Sequence, residues 1–289
     1  MANTFLTTSV IAREALMVLR NNAVMANLVH RDFSNEFVGG VGDTITVRTP
    51  ASFTANEFST AITVQDATEV GVEVKMDKLL DVSFAVTAKE LSLNIVDFSN
   101  ELLVPAMQAF ANKIDGYLIA AAKTAAGTTR KVTQASAVTK ADVIGARKFL
   151  TSAGAPLTDR RFVYNTDTEA DLLGIDAFTS AEKVGDEGTA LREASLGRKM
   201  GLDFYVDQNM DSVTKLKAIC FHKNALALVT RPLAKPVGTD QCEIVNYDGF
   251  GLRVVRGYDL NSKKDTISID MLCGVKALNN ALVSQIATE

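Results

Sequence analysis

The chain has 289 residues, 47% of them hydrophobic, a net charge of −4 and a mean hydropathy of +0.11, enough apolar material for one large domain or two interlocked ones. Trp is absent, the histidines are His30 and His222, and the three cysteines, Cys220, Cys242 and Cys273, lie far apart with no CxxC. That pattern argues against a zinc site or a disulfide framework and for small buried hydrophobes in a reducing compartment. Arg13 and Glu14 interrupt the apolar N-terminal run, so it does not read as a signal peptide, and no apolar stretch is long enough to span a membrane.

In chain order, Ile11, Ala15, Val18, Met25 and Leu28 recur at helical spacing. They predict one N-terminal helix, or two short ones broken near Asn21 and Asn22, with Ser9 as cap. Gly39, Gly40, Gly42 and Asp43 make a turn ahead of a strand over Thr44 to Thr49, with Ile45 and Val47 on one face. No Lys-Ser/Thr follows those glycines and they lead into a strand, so they do not form a phosphate loop. Val70, Val72, Val74 and Met76 then alternate with Gly71, Glu73 and Lys75. Together these stretches predict a long hairpin: outgoing limb Thr44 to Thr49, returning limb Glu69 to Val86, and a polar tip between about Ala51 and Gln65. A two-stranded ribbon is marginal alone in water, so it needs a partner surface on a neighbour or on its own domain.

The strongest helical signal lies between Asp97 and Gly127. Leu103, Met107, Phe110, Ile114, Tyr117 and Ala121 follow the helix period, while Gln108, Asn112, Asp115 and Lys123 fall on other faces. Pro105 suits a first turn and Gly127 an end, which sets the helix at Pro105 to Ala126. A short strand at Lys131 to Thr133 leads to a second α+β layer. It comprises a helix starting at Thr139 and ending at Gly154, a buried-type strand at Arg160 to Asn165, and a short helix starting at Thr166 or Asp167. A strand at Leu202 to Val206 follows, then two strands around a turn at His222 to Asn224.

Chemistry is sparse. His222 reads as an exposed turn residue, with no Ser or Cys in an elbow pattern near it. Asp240, Glu243, Asp248, Asp259, Asp265 and Asp270 are scattered and read as solvated faces, with no carboxylate pair at metal-ligand or acid/base spacing. Arg160-Arg161 and Lys263-Lys264 are isolated pairs in an acidic chain, which argues against a dedicated nucleic-acid binder. No catalytic, cofactor or metal residue is predicted.

The run from Tyr247 to Asp259, YDGFGLRVVRGYD, continues into DTISIDMLCGVKALNNALVSQI and follows KNALALVTRPL. Together with EFVGGVGDTITVRTP, KMDKLLDVSFAVTAKEL and PAMQAFANKIDGYLI, in this order, it resembles the major capsid protein of a tailed bacteriophage with the Hong Kong 97-type fold. The resemblance implies an α+β fold with an N-terminal arm, an extended E-loop hairpin, a peripheral domain with a long spine helix, and an axial domain. Carried onto this chain, the arm takes residues 1–33 and the strands with the E-loop hairpin 34–86. The peripheral domain takes 87–133 and 231–271, and the axial domain 134–230 and 272–289, with a last strand near Ala277 to Ile286. Lys75 and Lys78 lie near the returning limb, but nothing matches the cross-linking motif of some relatives.

The function so implied is a subunit that self-assembles, as hexamers and pentamers, into the icosahedral head enclosing a double-stranded DNA genome held without sequence-specific binding. The chain starts directly at the arm, which implies a separate scaffolding protein; a portal and decoration proteins are further partners of such a shell. No membrane and no cofactor are expected, and the location is the virion, assembled in the host cytoplasm. Phe53 and Phe58 in the hairpin tip are the candidate inter-subunit contacts. Net negative charge fits a container for packed DNA, since a lining of Lys and Arg would bind the polyanion. A nanocompartment shell of the same fold and an α+β enzyme with an unrecognised site are the other readings.

Overall fold

Pro105 stands in the first turn of the longest helix, α3 (Val104–Ala126), where its missing N–H costs nothing. Gly127 closes that helix at φ 55, its N–H donating to the Lys123 carbonyl at 3.1 Å. These are features of a computed structural model that describes residues 8–31, 44–49, 53, 55–57, 64, 70–87, 102–180, 194–237, 241–247, 250–259 and 264–289. The rod is roughly 34 Å long at 1.5 Å per residue. The expected stripe of Leu103, Met107, Phe110 and Ile114 is buried, while Tyr117 and Ala121 are half-buried. A second stripe, Ala111, Asp115, Leu118 and Ala122, is buried as well. The helix is therefore buried along two neighbouring stripes, because strands of two sheets and the N-terminal helices pack against it.

One sheet has five strands in the order β10 (Cys242–Tyr247), β11 (Phe250–Asp259), β12 (Lys264–Ala277) and β3 (Lys78–Thr87), with β9 (Leu226–Arg231) also paired to β12. All its pairings are antiparallel. The other has six, in the order β4 (Lys131–Thr133), β13 (Val283–Ala287), β8 (Leu216–His222), β5 (Arg160–Tyr164), β7 (Leu202–Val206) and β6 (Arg198–Lys199). Strand alternation on β5 shows how this second sheet serves two cores. Val163 faces the main core with Ile219, Phe221, Val283 and α3, whereas Phe162 and Tyr164 face the opposite side. There Phe162, Tyr164 and Phe178 surround Phe204 with ring centroids 5.1–6.1 Å away, in the offset and edge geometries that aromatic rings prefer.

That outer core is capped by α4 (Lys140–Ser152), α5 (Thr166–Leu173) and α6 (Asp176–Thr179). Thr139 precedes α4 as predicted, its N–H and hydroxyl donating to Asp142 Oδ2 at 2.8 and 2.7 Å. The cap of α5 is Asn165, whose Oδ1 accepts the Thr168 N–H at 3.0 Å, one residue before the expected start.

Three expectations change. The stretch read as two strands around a turn is not a hairpin: β8 and β9 belong to different sheets, joined by a 3-10 turn at Lys223–Ala225. The short turn carries the chain between layers because each strand finds its partners elsewhere, β13 and β5 for β8 and the long β12 for β9. The expected axial block ran through 230 and resumed at 272, yet β9 and residues 272–277 of β12 pair within the five-stranded sheet. The returning limb of the hairpin also breaks at Met76 and Asp77: β2 (Val70–Lys75) pairs with β1 (Thr44–Thr49), while β3 joins the five-stranded sheet.

The N-terminal segment is no free arm over its described part. Helices α1 (Thr8–Asn22) and α2 (Met25–Leu28) bury Ile11, Leu16, Leu19, Met25 and Leu28 in the main core, against α3, β10 and β11. Each such side chain contributes about 1.5–3 kcal/mol when removed from water, so the segment is stabilised by its own subunit. His30 then bridges β9, its N–H donating to Leu226 O at 3.1 Å and its carbonyl accepting from Leu228 at 3.0 Å.

Candidate functional site

Apart from both sheets stands a two-stranded one, the β1–β2 ribbon. Its antiparallel register sets Ile45 opposite Val74 and Val47 opposite Val72, so the apolar side chains share one face, as the alternation predicts. Thr44, Thr46, Arg48, Gly71, Glu73 and Lys75 form the other. The ribbon root rests on its own subunit. Val74 and Met76 close a small apolar cluster with Val229 of β9, and Ile45, Val47, Leu272 and Leu278 pack against it. The opposite end leads toward the tip, where Phe53 is 65% and Val64 82% exposed. Phe58, the second candidate contact, lies outside the described residues.

A row crosses the face of the five-stranded sheet turned away from the main core: Ile244, Arg253, Asp270 and Asp81 stand opposite one another on four successive strands. Asp270 was expected on a solvated face. Instead it is buried and held by the Arg253 guanidinium, with Nε 2.9 Å from Oδ1 and Nη2 2.5 Å from Oδ2. Two carboxylates directly opposite would repel. Arg253 answers one of them, and the hydroxyls of Ser83 and Ser268 donate to Asp81 at 3.0 and 2.8 Å. Arg256 and Asp265 make a second cross-strand pair at 2.7 Å.

At the middle of α3, Asp115 is fully buried and accepts the N–H groups of Val24 at 2.9 Å and Ala26 at 3.0 Å. Burial, then the nearby charge of Asp207, pushes its carboxyl up to about 7, against the opposing pull of those N–H donors. Asp207 is itself buried, and chiefly for that reason its carboxyl is raised; its Oδ1 accepts the Asn209 N–H at 2.9 Å while Oδ2 has no hydrogen-bond partner among the described residues. These two acids join the N-terminal helices, α3 and the 3-10 turn at Gln208–Ser212. The helical period placed Asp115 on a polar face; its position in the spacing of Ala111, Leu118 and Ala122 was the available signal.

Other expected residues serve structure. His222 is buried rather than exposed, its Nδ1 accepting the Asn224 N–H at 3.2 Å, and burial lowers its pKa. Arg160 is buried, donating to the carbonyls of Pro156 and Ala155 and to the Thr151 hydroxyl. Arg161 Nη1 meets the Leu28 carbonyl, and the three cysteines are buried and free. Among the described residues no group of three or more His, Cys, Asp or Glu is placed to hold a metal ion, and no helix is long and apolar enough to cross a membrane.

No family model and no curated protein matches the chain. Its fold has solved counterparts. A structure from Mycobacterium phage Che8 aligns over 91% of this chain and 90% of its own, at a TM-score of 0.69 and 21% identity. The capsid structure of cyanophage P-SCSP1u aligns over 86% and 84%, at 0.64 and 13%. A virus-like particle from Pyrococcus furiosus aligns over 96% and 97%, at 0.53 and 15%. The α+β fold is thus the fold of phage capsid proteins, as the order of sequence pieces implied.

Proposed function

We propose that this chain is the major capsid protein of a tailed bacteriophage, a structural subunit that self-assembles into the icosahedral head around a double-stranded DNA genome. The observation that carries this reading is the near full-length match to phage structures on both chains, 91% and 90% in the first case. A two-stranded ribbon seated on its own subunit only at its root, with Phe53 exposed toward its tip, supports it, because a second copy of the chain would cover that exposed apolar surface. Contacts between unlike surfaces of neighbouring copies close into rings, which fits hexamers and pentamers. A scaffolding protein, a portal and decoration proteins are the partners such a head calls for, with assembly in the host cytoplasm. Such a subunit calls for a peripheral and an axial domain, for which the five-stranded and the six-stranded sheet are the candidates.

A second reading, a nanocompartment shell enclosing a protein cargo, is favoured by the match to the Pyrococcus furiosus particle, which covers 97% of that chain at a lower TM-score. Negative-stain imaging of the purified protein, alone and with a scaffolding protein, is the test of both. Closed shells are expected; a protein that stays monomeric at high concentration in both conditions refutes the shell reading. Double-stranded DNA inside particles from infected cells favours the head, and packaged enzyme favours the compartment.

A further inference from the structure

The ribbon is fastened at one unusual place. Gly274 of β12 stands opposite Val229 of β9, and a Cβ there would fall inside contact distance of the Lys75 carbonyl oxygen, 3.0 Å from the carbonyl carbon and 3.2 Å from Met76 Cα. These are backbone atoms and cannot rotate away. The contrast is Gly71 in the ribbon itself, where an added Cβ would meet first the methyl of Thr46, the end of a side chain. Backbone therefore lies on backbone at the root, closed on its sides by Val74, Met76 and Val229, all buried.

We infer that Gly274 is the positioning residue that sets the direction in which the ribbon leaves the five-stranded sheet, and hence where its tip meets a second copy of the chain. The second half rests on the shell reading above; the first does not. Six residues of strand extend about 20 Å, so a push of about 1 Å near the Met76–Asp77 turn is magnified several-fold at the far end. Packed interfaces tolerate little such displacement. An extra methyl at Gly274 cannot be absorbed by a rotamer change, so the root itself has to lift.

The test uses spin labels on introduced cysteines at Arg48→Cys, near the far end of β1, and Ala85→Cys in β3, both exposed, the three native cysteines being buried and free. The distance between labels in the unassembled subunit is measured by pulsed electron resonance, with and without Gly274→Ala. A shift of about 3 Å or more is expected; a mean distance unchanged to within about 1 Å overturns the inference. Should Gly274→Ala fail to fold, Met76→Ala loosens the same seat without a clash. It is expected to broaden the distance distribution, and a distribution as narrow as that of the parent overturns the inference. Imaging of unlabelled Gly274→Ala then reads the second half. Fewer closed particles or an altered diameter is expected, and parental particles despite a shifted distance refute the link to assembly. If the parent forms no shells at all, the shell reading fails while the distance measurement still decides the role of Gly274.

Discussion

Asp115 Oδ1 accepts the Ala26 N–H at 3.0 Å across 89 residues of sequence, while its Oδ2 accepts that of Val24 at 2.9 Å. Helix α2 has only four residues and no side-chain cap of its own at Val24, so a carboxylate from α3 fills that place. At the other end Arg161 of β5 meets the Leu28 carbonyl, and the short helix is thus held between a carboxyl group that accepts its first N–H groups and a guanidinium that donates to its last carbonyl. That arrangement fastens the N-terminal segment to α3 and to the six-stranded sheet at once.

Replacing Asp115 by Ala strands one buried N–H donor, of Ala26, and one half-buried, of Val24; a buried donor left unpaired costs about 1–3 kcal/mol. Urea denaturation of the unassembled subunit is expected to show a loss of at least about 2 kcal/mol for Asp115→Ala. A loss below about 0.5 kcal/mol would mean that the carboxylate does not fasten the helices.

The same carboxyl makes stability depend on pH. Its folded-state pKa is raised from 3.8 to about 7, so the folded chain keeps a proton that the unfolded chain releases within that window. Its contribution to stability is therefore greatest below about pH 4 and is lost as pH rises toward 7, by about 1.4 kcal/mol per unit across the window. Asp207, also raised, acts with the same sign. Measured at pH 5 and pH 8, the stability difference between parent and Asp115→Asn is expected to move toward the parent at the lower pH. A difference independent of pH contradicts the raised carboxyl.

Arg253→Met leaves Asp270 buried beside Asp81 without its cation. Breaking a buried pair from one side costs about 3–5 kcal/mol, whereas replacing both partners by apolar groups is often close to neutral. The double variant Arg253→Met, Asp270→Leu is expected to regain most of that loss in the melting temperature of the subunit; equal losses in single and double variants would show that the ion pair matters little.

Gly116 follows Asp115 inside α3, and a Cβ there would meet nothing within 4 Å. Gly116→Ala is expected to stabilise the subunit by roughly 0.5–1 kcal/mol, since Ala loses less backbone entropy in a helix. Thermal melting checks this, and destabilisation would place an unseen neighbour against that face.

Deleting residues 51–65, the ribbon tip with Phe53 and Phe58, is expected to spare the subunit and weaken assembly. The ribbon root and its Val74–Met76–Val229 cluster stay intact, while apolar side chains worth about 1.5–3 kcal/mol each are lost from contacts between copies. A large drop in subunit melting temperature with unchanged particle yield would place the tip on its own subunit.

Much of the architecture was legible because it rests on local periods and punctuation. Pro105 and Gly127 bound α3, Ile45, Val47, Val72 and Val74 mark one face of the ribbon, and Thr139 marks the start of α4; each depends on neighbours within a few residues. The order of these pieces was also enough to point to the capsid fold.

Tertiary structure alone decided which partner each piece takes. Nothing local distinguishes β8 and β9 from a hairpin, because strand separation into two sheets depends on β13 and β12, remote in sequence. Periodicity reads a charged residue as facing away from the core, so Asp115 was set on another face and Asp270 in water; the donors that let them be buried come from Val24, Ala26 and Arg253, remote in sequence. The seat at Gly274 likewise needs Lys75 and Met76 brought against it, about 200 residues away along the chain. Spacing along a chain reveals which faces are apolar, but a buried polar group is permitted only by a partner that folding delivers.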